Sequence, residues 1–364
     1  MDLKQRARKM QREFEFCPGA RSLISALLFW NSGFCQLHAS ITWTISPISL
    51  GDGIRSHGAA STDDGIYIFG GYGTNSGFIT TGTLYDPGAG SFNPQPSVNA
   101  LGTSSITGIR NVSVGNSVYY TANTTGGTAT SGHELIKIST SDYNVSVVTP
   151  QIHQVEYSAL TYASSTGHIY MSGGLSNANQ RQTHLQVYDT TSDIWTQGTA
   201  MNTARDKHTM SYAEGSDSLY VFGGVTGFNT SLNTIEIYDI ANNQWNVLTE
   251  TMSTPRQDAS SITIGTDIYI IGGRDGFGNA LNTVERFDTL NNTITTEDPL
   301  PVNFSLGAVV EHEGEIYLIG GYDGTSNLDT IIIGAVNIPE PAMLMLTGLA
   351  SIFGLLVRKR QGTT

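Results

Sequence analysis

The sequence predicts an all-β protein built from a repeated unit of four strands. Glycine accounts for 41 of the 364 residues, charged residues make up only 13%, and Ser, Thr and Asn are abundant. That composition favours turns and strands over helices. No segment between 41 and 336 repeats its apolar residues at the 3.6-residue period of a helix. A strand of six residues recurs along the chain instead.

The recurring strand ends in Gly-Gly in five of its six copies. The copies are "IYIFGG" at 66–71, "VYYTAN" at 118–123, "IYMSGG" at 169–174, "LYVFGG" at 219–224, "IYIIGG" at 268–273 and "IYLIGG" at 316–321. Their spacings are 52, 51, 50, 49 and 48 residues. A period near 50 indicates an array of supersecondary units, each about as long as a kelch repeat.

Each unit contains the same elements in the same order. A segment such as "RDKHTMSYAEG" precedes the Gly-Gly strand, and a polar loop such as "RDGFGNALN" follows it. The third strand ends in an aromatic–Asp pair, and an aromatic residue opens the fourth. The aspartates are Asp86, Asp189, Asp239 and Asp288, and the aromatics are Phe92, Trp195 and Trp245. Four antiparallel strands make one blade of a β-propeller, so six blades are predicted.

The residues that recur in most units are predicted to be structural. One tyrosine lies two positions into each copy of the strand, where its ring would fill the wedge between blades. These residues are Tyr67, Tyr119, Tyr170, Tyr220, Tyr269 and Tyr317. The glycines allow close approach and positive φ at the end of the strand, and the aspartates are expected to cap the following turn.

The last unit lacks a fourth strand, because Pro339 follows "TIIIGAV". The segment "SITWTIS" at 40–46 supplies one, with Trp43 in the place of Trp195 and Trp245. Trp43 precedes Arg55 by 12 residues, whereas Trp195 precedes Arg205 by 10 and Trp245 precedes Arg256 by 11. We therefore expect the first strand to complete the sixth blade and leave no open edge.

These features make residues 41–336 resemble the kelch family. The resemblance implies a six-bladed kelch-type β-propeller with four strands per blade, closed by an N-terminal strand that completes the last blade, over 40–337. It also implies two kinds of function. Bacterial kelch propellers include sialic-acid epimerases, whereas eukaryotic kelch domains serve as protein-interaction platforms, although no partner domain such as a BTB is present here.

Both ends of the chain are predicted to be targeting segments. Residues 1–39 combine a basic region, the apolar core "SLISALLFW" and a small-residue cleavage site after Ala39, which is typical of a signal peptide. Residues 338–364 contain "PEP" at 339–341, an uncharged apolar run at 342–357 and "RKR" at 358–360. The run is slightly short for a transmembrane helix.

The C-terminal segment resembles the PEP-CTERM sorting signal, with a plain C-terminal anchor as the alternative. The resemblance implies cleavage by an exosortase near Pro339, Glu340 and Pro341. It also implies export and transient anchoring in the inner membrane of a Gram-negative bacterium that makes exopolysaccharide. The final location would be the cell surface or the extracellular matrix.

The charge distribution excludes some partners. Residues 40–337 carry 9 basic and 27 acidic residues, a net charge of −18. Such an acidic body argues against nucleic acid as a partner and against unassisted docking on anionic lipid. The two cysteines, Cys17 and Cys35, both precede the repeats. A chain cut after Ala39 would have no disulfide or thiol chemistry.

Residues that break the repeat are the candidates for a ligand site at the mouth of the channel. They are Arg55, His57, Arg110, His153, Arg205, His208, Arg256 and Asn303. Arginines facing a narrow channel would bind carboxylates such as uronic or sialic acids, and histidines there could bind a metal or move protons. Alternatively, the arginines hold neighbouring blades by bonding backbone carbonyls.

Three functional hypotheses remain open at this stage. The favoured one is a non-catalytic binding or scaffold protein of the cell envelope or exopolysaccharide matrix. The second is a sugar-active enzyme similar to sialic-acid epimerases, with Arg205, Arg256 and His208 as the residues to test. The third is a protein-interaction platform. No cofactor or metal is predicted, because no HxH, HExxH, phosphate-loop or dinucleotide motif occurs.

Overall fold

The computed structural model describes residues 40–97, 105–125, 134–228 and 230–337. The predicted signal peptide at 1–39 and sorting signal at 338–364 lie outside these ranges. The compact unit that contains the sheets spans Ile41–Ala335. Within the ranges given, no helix is long and apolar enough to cross a membrane, and the helical secondary structure is a single 3₁₀ turn at Glu214–Ser216. The prediction of an all-β protein is confirmed.

The described residues form six four-stranded sheets, which we number by position in the chain. Sheet 1 contains β3 (Gly58–Thr62), β4 (Gly65–Phe69), β7 (Thr81–Asp86) and β8 (Ser91–Ser97). Sheet 2 contains β9 (Ser105–Val114), β10 (Ser117–Thr125), β11 (Leu135–Ser139) and β12 (Val145–Val147). Sheet 3 contains β14 (Ala159–Ala163), β15 (His168–Ser172), β17 (Leu185–Asp189) and β18 (Ile194–Gly198).

The second half of the chain repeats the arrangement. Sheet 4 contains β19 (Thr209–Ala213), β20 (Ser218–Phe222), β23 (Thr234–Asp239) and β24 (Gln244–Thr251). Sheet 5 contains β25 (Ser260–Ile264), β26 (Asp267–Ile271), β27 (Val284–Asp288) and β28 (Thr293–Glu297). Sheet 6 contains β29 (Ala308–His312), β30 (Glu315–Ile319), β31 (Thr330–Asn337) and, beside β31, the N-terminal β1 (Ser40–Ser49).

Short strands lie at one end of three of the sheets, sheets 1, 3 and 4. They are β2 (Ile54–Arg55), β5 (Tyr72–Gly73), β6 (Gly77–Phe78), β13 (Val155–Glu156), β16 (Leu175–Ser176), β21 (Val225–Gly227) and β22 (Thr230–Ser231). β2 pairs with β5, and β13 pairs with β16. Each pair joins the entrance of a sheet to the loop that follows its Gly-Gly turn, so both segments lie at one end of the sheet.

The core lies between the faces of successive sheets. All six recurring tyrosines are at most 4% exposed. Tyr67 packs in one cluster with Val118 and Ile138 of sheet 2, and Tyr317 packs with Ile66 and Ile68 of sheet 1. These two rings therefore fill space between sheets, as predicted, and burying them favours the association of the sheets.

The aromatic–Asp pairs behave as the sequence predicts. A carboxylate oxygen of each aspartate accepts a backbone N–H two or three residues further along the chain, which caps the turn between the third and fourth strands. The bonds are Ala89 to Asp86, Thr191 to Asp189, Asn242 to Asp239 and Leu290 to Asp288, at 2.8–3.0 Å. The side chains fix tight turns on the end of each sheet opposite to the Gly-Gly loops.

The aromatic residue at the start of the fourth strand packs in an equivalent way in sheets 3, 4 and 6. Trp195 and Trp245 are buried, and their indole N–H groups donate to the carbonyls of Thr149 and Thr199, both at 2.8 Å. In sheet 6 the ring of Trp43 covers Gly334, where a Cβ would lie 2.5 Å from the ring. β1 therefore presents its tryptophan to β31 at the position where Trp195 faces Tyr188 in sheet 3.

The innermost strands contact one another in the sequence β3, β9, β14, β19, β25, β29 and back to β3. Backbone hydrogen bonds connect the residues that enter these strands. The N–H groups of Lys207, Asp258, Leu306, Ser56 and Ile109 donate to the carbonyls of Tyr157, Lys207, Asp258, Leu306 and Ser56 respectively. Ser56, Tyr157, Lys207, Asp258 and Leu306 all have φ between 52° and 57°. This left-handed conformation is uncommon outside glycine.

Candidate functional site

Arg205 and Arg256, which were predicted to face the channel, are completely enclosed. Each guanidinium contacts a glutamate on the third strand of its own sheet, and all four side chains are at most 1% exposed. Arg205 Nη2 lies 2.5 Å from Glu236 Oε1, and Arg205 Nη1 donates to the carbonyl of Gly223 at 2.9 Å. Arg256 makes the matching ion pair with Glu285. Both arginines hold a sheet together, and neither is exposed to a ligand.

The Gly-Gly turns identify the residue that occupies the Arg205 position in each sheet. A Cβ on the first glycine would lie 2.1–2.5 Å from the carbonyl oxygen of that residue in the following sheet. The pairs are Gly173 with Arg205, Gly223 with Arg256, Gly272 with Phe304 and Gly320 with Ile54. The counterpart of Arg205 in sheet 1 is therefore Ile54. The prediction that Arg55 is equivalent to Arg205 is wrong by one residue, because the segment between the tryptophan and this position differs in length from sheet to sheet.

The residue on the third strand that faces the Arg205 position also differs between sheets. The glutamates of sheets 4 and 5 lie at a register position held by Thr83 in sheet 1, Gln186 in sheet 3 and Ile332 in sheet 6. Glutamate thus occurs where the buried residue is arginine, and a neutral residue occurs where that residue is Ile54, Val155 or Phe304. A buried charge without a partner would be strongly destabilising, which explains why the two exchanges occur together.

Arg55 lies between two tyrosines instead. Its guanidinium carbon is 5.5 Å from the ring centre of Tyr72 and 5.2 Å from that of Tyr322. Tyr72 belongs to the loop after the Gly-Gly turn of sheet 1, and Tyr322 to the corresponding loop of sheet 6. The side chain is only half-buried, so this cation–π arrangement leaves Arg55 within reach of a partner.

His57 and His208 occupy equivalent positions and are both buried between sheets. His208 Nε2 lies 2.8 Å from Ser172 Oγ of sheet 3. Burial lowers the pKa of His57 to about 4. Burial, followed by the charges of Arg205 and Arg110, holds the pKa of His208 well below its usual range. Both imidazoles are therefore neutral at pH 7.

His57, His208 and Arg110 are the predicted residues that line a cavity of about 120 Å³, whose walls include the innermost strands β9, β14, β19, β25 and β29. Of these three, Arg110 forms an ion pair. Its Nη2 lies 3.5 Å from Asp258 Oδ1, and Arg274 contacts the other carboxylate oxygen of Asp258. Asp258 is buried, whereas the two arginines are about one-quarter exposed. Two cations thus share one buried anion at this mouth of the cavity.

The two remaining candidates lie apart from the cavity. The ring of His153 stacks on His184, with the ring centres 3.6 Å apart. Asn303 is exposed in the segment that leads to Phe304. The eight predicted residues therefore do not form one site. In the ranges that the structure covers, no group of three or more His, Cys, Asp or Glu side chains could hold a metal ion.

The sequence analysis missed a set of exposed aromatic side chains in the loops after the Gly-Gly turns. Phe228 is 93% exposed, Phe277 is 90% exposed and Phe78 is 55% exposed. With Tyr72, which meets Phe78 edge to face, we call them the aromatic surface. A Gly-Phe dipeptide in three of the loops, at 77–78, 227–228 and 276–277, is the signal that could have revealed them.

Hydrogen bonds position the loops that bear the aromatic surface. Asp275 Oδ1 accepts the backbone N–H groups of Phe277 and Asn279 at 2.8 and 2.9 Å. The carboxylate of Asp52 accepts from Asn75 and Ser76 ahead of Phe78. Because aspartates order these two loop backbones, Phe78 and Phe277 are held exposed on structured turns.

Comparison with known proteins identifies the repeats. Residues 158–336 match the family model described as the KLHDC2/KLHL20/DRC7 Kelch-repeats domain. The match, together with the antiparallel four-stranded sheets, confirms the prediction of kelch repeats in this part of the chain. No curated protein matches the sequence. Kelch repeats support a protein-interaction platform as the general class of function.

Proposed function

We propose that this protein is a non-catalytic binding protein and that its aromatic surface docks a protein partner. The observation that carries the proposal is the exposure of Phe228 and Phe277 at 93% and 90%. Exposed apolar patches bordered by polar residues mark protein-interaction sites. The kelch repeats favour the same class of function.

The surroundings of these residues suit a protein interface. Aromatic side chains and arginine contribute most of the binding energy at protein interfaces, and Arg55 lies beside Tyr72 in this region. The loops of sheets 5, 6 and 1 are also adjacent. A Cβ on Gly324 would lie 3.7 Å from Ala280, and Asn327 Nδ2 donates to the carbonyl of Tyr72 at 3.5 Å. Phe277, Arg55 and Tyr72 thus belong to neighbouring loops.

Site-specific photo-crosslinking in the source cells tests this proposal. A photoreactive phenylalanine analogue replaces Phe277 in the full chain, and the matched control carries it at Leu290. Leu290 is 56% exposed on the same sheet, in the turn at the opposite end. We expect one defined protein adduct from position 277 that is lost when Phe228 and Phe78 are changed to Ser.

Two results would contradict the proposal. One is a set of adducts that is the same from positions 277 and 290, which would indicate random collisions. The other is an adduct from 277 that persists at full yield in the Phe78→Ser/Phe228→Ser variant. Circular dichroism of that variant provides the folding control, because exposed side chains contribute little to the core.

We further propose that the six sheets are the blades of a closed propeller, completed by β1. The cyclic order of contacts between innermost strands and the place of β1 beside β31 support this closure. Removing residues 40–49 should expose the edge of β31, lower the melting temperature and promote aggregation. A synthetic 40–49 peptide should restore stability. An unchanged melting temperature after the deletion would rule out this role for β1.

Export is the second part of the proposed function. The support is the sequence of the two ends, in which a basic–apolar–small pattern occurs at 1–39 and Pro-Glu-Pro precedes an apolar run and "RKR" at 338–364. We propose removal of the first segment, transient anchoring in the inner membrane, and exosortase cleavage near Pro339. The protein would then act at the cell surface or in the matrix, where envelope proteins or exopolysaccharide are its partners.

Mass spectrometry of the protein from cell fractions tests the export proposal. We expect an N-terminus at Ser40 and loss of the residues after the Pro-Glu-Pro motif in the surface or medium fraction. The Pro339→Ala/Pro341→Ala variant should accumulate with an intact C-terminus in the inner membrane. Full-length protein confined to the cytoplasm would contradict export, without affecting the crosslinking result.

The geometry does not favour the sugar-active enzyme as a second candidate. That hypothesis assigned substrate contacts to Arg205, Arg256 and His208, which are 0%, 1% and 1% exposed. Their polar atoms bond to Glu236, Glu285 and Ser172 within the protein. A substrate would have to displace these internal partners to reach them.

A further inference from the structure

Sheet 3 departs from the other sheets at the residue that follows its Gly-Gly loop. The first glycine of each turn donates its N–H to a carbonyl at the start of the third strand or one residue before it. The acceptors are Thr81, Thr234, Thr283 and Thr330 in sheets 1, 4, 5 and 6, but His184 in sheet 3. Histidine therefore occupies in sheet 3 the position that threonine occupies in four other sheets.

Two more exchanges occur around His184. Val155 has the place of the buried Arg205, and Gln186 has the place of Glu236. In sheet 4 the Arg205 guanidinium reaches Thr234 Oγ1 at 3.2 Å, whereas valine is too short to reach the equivalent position. Sheet 3 therefore has free space beside His184 that a guanidinium fills in sheet 4.

His153 enters this space from the segment between β12 and β13. Gln186 holds its backbone on both sides, since Oε1 accepts the His153 N–H at 2.7 Å and Nε2 donates to the His153 carbonyl at 2.8 Å. The two imidazole rings stack with an interplanar angle of 12°. Burial, and then the neighbouring His153, lower the pKa of His184, which favours its neutral form.

His153 and His184 line a pocket of about 340 Å³ together with Gln151, a volume within the range of small-molecule sites, about 300–1,000 Å³. His153 Nε2, His184 Nδ1 and both amide atoms of Gln151 are buried and have no hydrogen-bond partner among the residues that the structure describes. Gln151 is 7% exposed. Such atoms strongly favour a ligand that can pair with them.

The lining determines the class of ligand. It consists of Gln, His, Ser, Ile and Val side chains, and none of these residues carries a fixed charge. An ion would lose its hydration without gaining an opposite charge. Amides and neutral imidazoles each offer both a donor and an acceptor, as hydroxyl groups require. A neutral ligand with several hydroxyl groups on a compact ring meets these conditions.

We propose that the pocket around His153 and His184 binds one neutral sugar unit. Gln151 and the edges of the two imidazoles bond its hydroxyls, and Gln186 positions His153 for this contact. The site lies in sheet 3 and uses none of the residues of the aromatic surface, so it is a second binding site, separate from the proposed protein interface.

Saturation-transfer NMR on the full chain at pH 7.5 tests the proposal with glucose, galactose, mannose, N-acetylglucosamine and glucuronate, each alone. Zinc chloride alone is measured separately by calorimetry. The key variant is His184→Thr, which installs the residue of the other sheets and should keep the melting temperature. The matched control is His168→Gln, at the opposite end of β15 in the same sheet.

We expect at least one neutral sugar to receive saturation from the wild type and from His168→Gln, with affinity at least about tenfold lower in His184→Thr. Gln151→Ala should reduce the affinity in the same direction. Absence of transfer to every neutral sugar would overturn the proposal, as would sugar binding that His184→Thr leaves intact. Binding of glucuronate or zinc alone would show that the site takes an ion, and the assignment to a neutral sugar would be wrong.

Discussion

The buried pair of Arg205 and Glu236 gives the sharpest test of how the sheets are stabilised. Changing Arg205 to Ile places in sheet 4 the residue that sheet 1 has at this position, Ile54. The change leaves Glu236 buried at 0% exposure, with the backbone N–H of Asn202 as its remaining strong donor, at 2.9 Å. The double variant Arg205→Ile/Glu236→Thr copies both residues of sheet 1, Ile54 and Thr83.

The expected magnitude follows from the loss of one partner of a buried ion pair. Breaking such a pair costs about 3–5 kcal/mol. With an unfolding entropy of about 2 cal/mol/K per residue over roughly 300 residues, this corresponds to a fall of about 5–8 °C in melting temperature. The double variant removes both charges and should recover about half of the loss, the remainder being the cavity left by the smaller side chains.

Melting temperatures of the wild type, both single variants and the double variant complete the measurement as a double-mutant cycle. Arg55→Ile is the control, because Arg55 is half-buried and its cation–π contacts contribute about 1 kcal/mol at an exposed site. A melting temperature unchanged by Arg205→Ile would refute the structural role of this arginine. An equal loss from Arg55→Ile would refute the register that equates Ile54 with Arg205.

Two further predictions concern His57 and the Gly-Gly turns. Burial lowers the pKa of His57 to about 4, whereas a histidine in the unfolded chain takes up its proton near pH 6.5. The folded protein therefore loses stability as the pH falls from 6.5 towards 4. Between pH 7 and pH 5 the loss amounts to about 2 kcal/mol, or about 3 °C in melting temperature. The fall in melting temperature between those pH values should be smaller by that amount in His57→Gln, and an equal fall in both proteins would contradict the assignment. Gly223 has φ of +64° and a Cβ there would lie 2.4 Å from the carbonyl oxygen of Arg256, so Gly223→Ala should cost at least about 2 kcal/mol. Gly215→Ala meets no atom within 4 Å and should leave the melting temperature unchanged; similar melting temperatures for the two variants would argue against the close packing of the turn.

The strands and their order were accessible from the sequence because the signals are local. Alternation of apolar residues, the Gly-Gly pair and the aromatic–Asp pair each span a few residues and recur six, five and four times. Repetition makes each copy evidence for the others. The buried tyrosines and the aspartate caps therefore appear in the structure where the repeat predicts them. The position of Trp43 beside β31 was also predictable, because one repeat lacked a strand and the N-terminal segment had its pattern.

Contacts between residues far apart in the chain determine which of the polar candidate residues are enclosed and which are accessible. Arg205 and Arg55 look alike in sequence, yet one is enclosed with Glu236 and the other lies between two tyrosines. A difference of one residue in a connection changes which side chain points into the sheet, and spacing from a tryptophan does not fix that register. Burial then determines the chemistry, since an enclosed arginine requires a carboxylate partner.

The sequence by itself determined the fold class, the repeat and the candidate targeting segments at the two ends, because short-range patterns encode these features. Only the tertiary structure decided which side chains are available to a ligand. It enclosed Arg205, Arg256 and His208, exposed Phe228 and Phe277, and stacked His153 on His184 across 30 intervening positions of the chain. Availability depends on the atoms that cover a side chain, and these come from other sheets whose placement no local pattern records.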